Sequence, residues 1–137
     1  EILYLGNLNA KRDWGHAKDY TFMQWKILQQ KKPDDYVIAT GKTTSVRDFV
    51  NQCCKYLNLK IIWSGNGVNE KGYLIKNKKK ELIIKVDRNY YRPLEIDYLK
   101  GDPRKAFKKL NYKLKHNLTD LVKDMLDADI NLFKKKI

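Results

Sequence analysis

The apolar residues of this chain are concentrated in short runs of three or four, and longer stretches with helical spacing separate these runs. Short apolar runs bounded by turn residues predict β-strands, whereas apolar residues that recur every three to four positions predict helices packed on one side. Strands and helices in alternation favour a small mixed α/β fold. The predicted strands are Ile2–Leu5, Tyr36–Ala39, Ile61–Trp63, Tyr73–Ile75 and Leu82–Ile84, the last two forming a hairpin with a basic, mobile turn.

Apolar spacing and terminal signals define the first two predicted helices. One covers Gly15–Gln30 and ends before Pro33, which cannot continue a helix. The next covers Val46–Leu57, because Ser45 is a favoured N-cap and Asp48 follows three residues later, as in a capping box.

Two further helices are predicted near the C-terminus. The third begins at Pro103 behind the cap residue Asp102 and ends in a left-handed residue at Asn111. The fourth begins after Asn117, which Asp120 completes as a capping box. Its apolar residues share one face, namely Leu118, Leu121, Val122, Met125 and Leu132.

The length of 137 residues suits one compact domain, so residues 1–137 are predicted to form a single domain. The sequence opens directly on a strand, and we expect an upstream portion to be missing. No apolar run approaches the roughly 18 residues of a membrane span, and the N-terminus lacks the basic start of a signal peptide. We therefore expect a soluble, cytoplasmic protein that does not bind membranes.

The formal net charge of +13 raises the possibility of nucleic-acid binding through phosphate neutralisation. The excess consists of 24 lysines against 5 arginines and is spread along the whole chain, as in a bias at ordinary surface positions. We expect any duplex binding to be weak and salt-sensitive. Arginine is then the more informative cation, since its planar fork can grip a phosphate with two bonds. The arginines are Arg12, Arg47, Arg88, Arg92 and Arg104.

Catalytic and metal-binding patterns are missing from the sequence. The Gly65–Gly67 pair is not continued into the glycine-rich turn of a dinucleotide site. Tyr56 and Lys60 match a Tyr-x-x-x-Lys pair by letter only, because the predicted helix ends before Lys60. Two isolated histidines do not make a metal site, and the adjacent Cys53–Cys54 pair predicts free thiols. We therefore expect no catalytic, cofactor-binding or metal-binding residue in this chain.

Two clusters could bind an anion. Asn7, Arg12, Asp13 and Trp14 follow the first strand, and the Arg92–Glu95 segment follows the hairpin. The two arginines could converge on a diphosphate, and Glu95 could accept hydrogen bonds from a ribose diol. The residues alone leave open a plain surface ion pair between Arg92 and Glu95.

The string from Leu5 to Tyr20, which includes R-D-W-G-H-A-K-D-Y, closely resembles the signature of the GDP-mannose 4,6-dehydratases, extended short-chain dehydrogenases/reductases. The similarity continues in family order through nearly the whole chain, in the strings P-D-D-Y-V-I-A-T-G, S-V-R-D-F-V, G-N-G-V-N-E, D-R-N-Y-Y-R-P-L-E and L-K-G-D-P. It weakens at Leu110–Leu114, where family members often have Leu-Gly-Trp-Lys-Pro.

The resemblance implies a small C-terminal substrate-binding domain, without the Rossmann core, from an enzyme that dehydrates GDP-mannose using tightly held NADP. It implies that the cofactor domain and the catalytic residues lie upstream, and that this chain alone is inactive. Arg12 and Arg92 would contact the GDP phosphates and Glu95 the ribose, while Leu5, Gly6 and Asn7 would form part of the nucleotide pocket. A homo-oligomer is expected. The alternatives are the substrate-binding part of another sugar-nucleotide epimerase or dehydratase, and a basic nucleic-acid-binding module.

Overall fold

The structure, a computed structural model, describes residues 1–92 and 96–135 and shows a mixed α/β fold. It divides into two compact units: residues 1–11 with 45–98, and residues 12–44 with 99–137. Two short strands, β2 (Lys11–Arg12) and β3 (Thr44–Ser45), pair with each other where the chain passes between the units.

The first unit contains a four-stranded sheet with the order β1-β6-β5-β4. The strands are β1 (Leu3–Leu5), β4 (Lys60–Ser64), β5 (Lys71–Lys76) and β6 (Lys79–Val86). Neighbours within β4-β5-β6 are antiparallel, whereas β1 joins β6 in parallel with Leu5 opposite Val86. Helix α2 (Val46–Tyr56) and a 3₁₀ turn at Gly67–Asn69 complete the unit.

Local sequence explains the hairpin between β5 and β6. Its two turn residues, Asn77 and Lys78, have φ values of 49° and 61°. A two-residue turn with both φ values positive matches the right-handed twist of paired strands. The predicted hairpin is confirmed, and its connection is a tight turn.

The second unit contains three helices: α1 (Ala17–Leu28), α3 (Arg104–Lys109) and α4 (Leu118–Lys134). Its core is formed by buried Met23, Ala106, Leu110 and Tyr112, against which Ile38 and other partly buried side chains pack. The core thus joins α1 to α3 and to the segment that follows α3.

The helix predictions from capping are confirmed in α2 and α4. The Ser45 hydroxyl accepts a hydrogen bond from the Asp48 N–H at 3.0 Å. At α4 the Asn117 side chain accepts from the Asp120 N–H, and the Asp120 carboxylate accepts from the Asn117 N–H at 2.8 Å. Each bond satisfies a backbone donor that helix geometry leaves without a partner.

Three details differ from the sequence predictions. Residues 36–39 are not a strand, since this segment packs Ile38 into the core without a ladder partner. Helix α3 has Pro103 as its N-cap, although Asp102 does accept from the Arg104 N–H at 3.1 Å. Met125 and Leu132 on α4 are about half exposed, because apolar spacing indicates the packed side of a helix but not the length that a neighbour covers.

Candidate functional site

Two loops of the first unit leave the same edge of its sheet. Because β1 and β6 are parallel neighbours, the loop after Leu5 and the loop after Val86 begin side by side. The Asp87 N–H donates to the Leu5 carbonyl at 2.9 Å, which extends the pairing beyond the strands. In open α/β sheets, ligands bind outside the carboxyl ends of such strands. This edge is therefore the candidate binding site of the first unit.

Gly6 allows these two loops to touch. A Cβ atom built on Gly6 would lie 2.3 Å from the Tyr90 carbonyl oxygen, far inside van der Waals contact. A side chain at this position would force the loops apart, so the close approach requires glycine. Arg92 lies two residues beyond Tyr90 and is exposed.

The Asn7 side chain ties the same region together. Its Nδ2 donates to Asp97 Oδ1 at 3.1 Å, and its Oδ1 accepts from the Asn9 N–H at 2.9 Å. The Lys11 N–H donates to the Asp97 carbonyl at 2.7 Å. Asp97 thus anchors the first loop, a role that sequence reasoning missed because no local pattern signals a partner ninety residues away.

The predicted substrate-binding residues are therefore distributed as follows. The structure brings Leu5, Gly6 and Asn7 together with the loop that carries Arg92, all in the first unit. Arg12 is half-buried in β2 and belongs to the second unit. Glu95 lies outside the described residues.

Arg47, one of the arginines considered for phosphate binding, is engaged by the protein itself. Its Nη1 donates to Glu70 Oε1, and its Nη2 donates to Glu70 Oε2 at 2.9 Å and to Asn9 Oδ1 at 2.8 Å. Its guanidinium also lies 5.1 Å from the centre of the Trp63 ring. The Glu70 hydrogen bond raises the pKa of Arg47. Arg47 therefore holds Glu70 and the first loop in place.

Arg104 is also paired within the chain, although at the surface. Its guanidinium donates to both oxygens of Asp102, at 2.8 and 2.9 Å from Nε and 2.5 Å from Nη2. These bonds lower the pKa of Asp102 to about 2. An exposed pair of this kind contributes little to stability.

In the second unit, the R-D-W-G-H-A-K-D-Y string supplies two carboxylates that hold backbone segments. Asp13 accepts from the N–H groups of Thr40 and Gly41, both at 2.9 Å, and from Gly101 at 3.2 Å. The Thr40 hydroxyl adds a bond to Asp13 at 2.5 Å. The string thus connects the start of α1 to two distant segments.

Asp19 holds a second junction. It is 1% exposed and accepts from the Tyr112 hydroxyl at 2.5 Å and the His116 N–H at 2.9 Å. Burial alone would raise the pKa of Asp19, but the hydrogen bonds from Tyr112, His116 and Lys115 outweigh it and lower this pKa. The ionised Asp19 carboxylate therefore stabilises the folded state at pH values above its ordinary pKa of 3.8. This stabilisation is lost as the pH falls through the lowered pKa of the folded state.

His16 completes this arrangement as a structural residue. Its Nδ1 accepts from the Lys18 N–H at 3.2 Å and caps α1, so Nε2 carries the proton that faces Asp124 at 3.3 Å. The ring also lies 4.4 Å from that of His116. Across residues 1–92 and 96–135, no cluster of three or more His, Cys, Asp or Glu side chains could hold a metal ion.

A cavity of about 340 Å³ opens in the second unit beside this string. Trp14, Thr40 and Lys42 are among its lining residues. Its volume falls at the lower end of the range for small-molecule pockets. The segment that follows Arg12 therefore borders a concave, partly basic surface.

The pairs that resemble cofactor chemistry do not assemble into a site. Tyr56 ends α2 and Lys60 begins β4, so they do not share a helix. Gly65 and Gly67 lead into a 3₁₀ turn and then β5, whereas a dinucleotide site needs the N-terminus of a helix there. In the described part of the chain, no helix has the length and apolar composition needed to cross a membrane.

Comparison with known proteins identifies the family. The sequence model described as "GDP-mannose 4,6 dehydratase" matches residues 1–125 of this chain. The chain belongs to the GDP-mannose 4,6-dehydratase family. Family members include GDP-mannose 4,6 dehydratases of Dictyostelium discoideum, 51% identical over 134 residues, and of Homo sapiens, 46% identical over 134 residues. The Vibrio cholerae GDP-mannose 4,6-dehydratase is 40% identical over 143 residues.

These alignments cover 98% of this chain but only 37%, 36% and 38% of the three relatives, respectively. The chain thus spans little more than a third of the length of these family members. A solved structure titled "Structure of RMD from Pseudomonas aeruginosa complexed with NADPH" is similar in fold, with a TM-score of 0.64 and 14% identity. That likeness covers 88% of this chain and 33% of the other.

Proposed function

We propose that this chain is the C-terminal, substrate-binding part of a GDP-mannose 4,6-dehydratase of the extended short-chain dehydrogenase/reductase type. The full enzyme would be a cytoplasmic homo-oligomeric lyase that converts GDP-mannose to GDP-4-keto-6-deoxy-D-mannose and water. The observation that carries the proposal is the parallel pairing of β1 and β6. It places the loops with Leu5, Gly6, Asn7 and Arg92 at one edge of the sheet.

Arginine chemistry supports the assigned roles. A guanidinium can present two parallel donors to a phosphate, and each charge-assisted bond contributes about 1.5–3 kcal/mol. Arg12 and Arg92 would share the two phosphates of GDP, and Glu95 would accept from the ribose hydroxyls. Gly6 would keep the two loops in contact, so that the backbone beside Leu5 and Asn7 borders the nucleotide. Arg92 is exposed and lies next to the Gly6 contact, in agreement with this role.

The family reaction requires NADP, which supplies a temporary store for hydride. In this chain the Gly65–Gly67 turn precedes a strand rather than a helix, so it does not supply the helix N-terminus that would hold a dinucleotide pyrophosphate. We therefore assign NADP, and with it the catalytic acid and base, to the rest of the polypeptide. The role of this chain in the reaction would be to bind and orient the GDP moiety.

The proposal is tested by two measurements. The polypeptide extended to the length of its relatives should convert GDP-mannose with NADP, whereas the 137-residue chain alone should not. In competition assays on the extended polypeptide, GDP should displace GDP-mannose far better than UDP or a random DNA duplex. Equal displacement by UDP would indicate another sugar-nucleotide enzyme, and salt-resistant duplex binding would indicate a nucleic-acid module.

A further inference from the structure

The Asp13 carboxylate is fully occupied by donors from its own unit. Its Oδ1 accepts from the Thr40 N–H at 2.9 Å and the Thr40 hydroxyl at 2.5 Å. Its Oδ2 accepts from the Gly41 N–H at 2.9 Å and the Gly101 N–H at 3.2 Å. A carboxylate has about four acceptor sites, so Asp13 has none left for a ligand.

The backbone around Asp13 is built for this contact. Gly41 has a φ of +74°, which a residue with a side chain adopts only with strain. A Cβ on Gly101 would lie 2.2 Å from the Ala39 Cβ, so glycine is needed there for close approach. The four bonds thus depend on two glycines that bring separate segments onto one carboxylate.

Arg12 is the last residue of β2 and directly precedes Asp13. Strand β2 pairs with β3, and Asp13 is bonded to Thr40 and Gly41. The Thr40–Thr44 segment is therefore joined to residues 12 and 13 at both of its ends. This closed arrangement leaves the backbone of Arg12 little freedom to move.

We propose that Asp13 is a positioning residue for Arg12, fixing the backbone from which the Arg12 guanidinium reaches the diphosphate of the substrate. This inference rests on the proposed function. Binding is weakened when a long side chain and its segment must be ordered at the moment of association. A backbone that is already fixed avoids that cost, whereas the negative charge of Asp13 would by itself oppose a diphosphate.

The test uses the polypeptide at the full length of its relatives and the variant Asp13→Asn. Asparagine keeps the shape of the Asp13 side chain, but its amide NH2 group is a donor. That group cannot accept from the backbone N–H groups that the second carboxylate oxygen binds. We expect the Kd and KM for GDP-mannose to rise roughly three- to tenfold, the cost of ordering one long side chain and its segment, with kcat changed less than about twofold. The control is Asp19→Asn, which removes a comparable carboxylate from the same unit whose bonds go to Tyr112 and His116 and not to the Thr40–Gly41 segment. It should lower the melting temperature without changing Kd.

A double-mutant cycle with Arg12→Ala separates positioning from general damage. If Asp13 acts through Arg12, Asp13→Asn should change Kd by less than about twofold once Arg12 is alanine. If Asp13→Asn does not fold, Thr40→Val is used instead; it removes the hydroxyl that donates to Asp13 and that also accepts from the Lys42 N–H at 3.1 Å. It should raise Kd in the wild type but not in Arg12→Ala. Additive effects, an unchanged Kd or tighter binding would overturn the inference. A wild-type polypeptide that fails to bind GDP-mannose would instead refute the proposed function.

Discussion

Gly6→Ala should separate the two loops of the first unit. The new Cβ would start 2.3 Å from the Tyr90 oxygen, so the loops must move by roughly 1 Å to restore ordinary contact at about 3.5 Å. Inserting a methyl group into a packed contact costs about 1–3 kcal/mol. We expect the free energy of unfolding of the 137-residue chain to fall by that amount in urea titrations.

The same displacement should weaken substrate binding. Moving Tyr90 also moves Arg92, and losing one charge-assisted bond of about 1.5 kcal/mol or more weakens affinity at least about tenfold. Isothermal titration of the extended polypeptide with GDP would measure this. The control is Gly67→Ala, where a Cβ meets nothing within 4 Å and the cost comes only from the positive φ of +54°.

Gly67→Ala should therefore lower stability without lowering GDP affinity. Unchanged stability in Gly6→Ala would refute the close approach of the loops. A loss of stability with unchanged GDP affinity would refute the assignment of this edge as the binding site.

Three further predictions concern stability. Arg47→Met leaves Glu70, which is 5% exposed, without its partner and should cost about 3–5 kcal/mol in urea unfolding; an unchanged midpoint would contradict the pairing. Lys78→Gly relieves a left-handed residue with φ 61° and should raise the free energy of unfolding by about 1 kcal/mol, whereas a decrease would contradict the turn geometry. Burial and the Asp19 hydrogen bond raise the pKa of Tyr112 from 10.0 to about 12, so the unfolded chain loses this proton first and stability falls as pH rises through that window. Tyr112→Phe should remove this part of the alkaline slope, and an unaltered slope in urea titrations would contradict it.

The sequence predicted those elements whose causes are local. Helices α2 and α4 followed from Ser45 and Asn117, since a capping side chain bonds backbone groups within three residues. The hairpin followed from two short apolar runs separated by a basic stretch, whereas its two-residue turn was not predicted. The parallel pairing of β1 with β6 could not be predicted, because it joins Leu5 to Val86 across the whole first unit.

The residues that hold the candidate site were harder to find. Asp13 and Asp19 accept from backbone N–H groups of distant segments, and any residue supplies such a donor. By sequence, Arg47 was a candidate for phosphate binding, but in the structure it donates to buried Glu70. Likewise, residues 36–39 have strand composition but no neighbour in a ladder. In each case the missing information was the partner, which only the fold supplies.

The decisive measurement for the assigned binding site is the GDP-mannose affinity of Arg92→Ala, with Arg88→Ala as its control. Both arginines are exposed and follow β6 on the same loop, and the two variants change the charge equally. We expect Arg92→Ala to weaken binding by the extended polypeptide roughly 10- to 150-fold, the loss of about 1.5–3 kcal/mol, and Arg92→Lys to recover only part of it. Arg88→Ala should stay within about twofold. If Arg92→Ala also stays within about twofold while the melting temperature drops by several degrees, Arg92 is a structural residue and the site assignment is wrong.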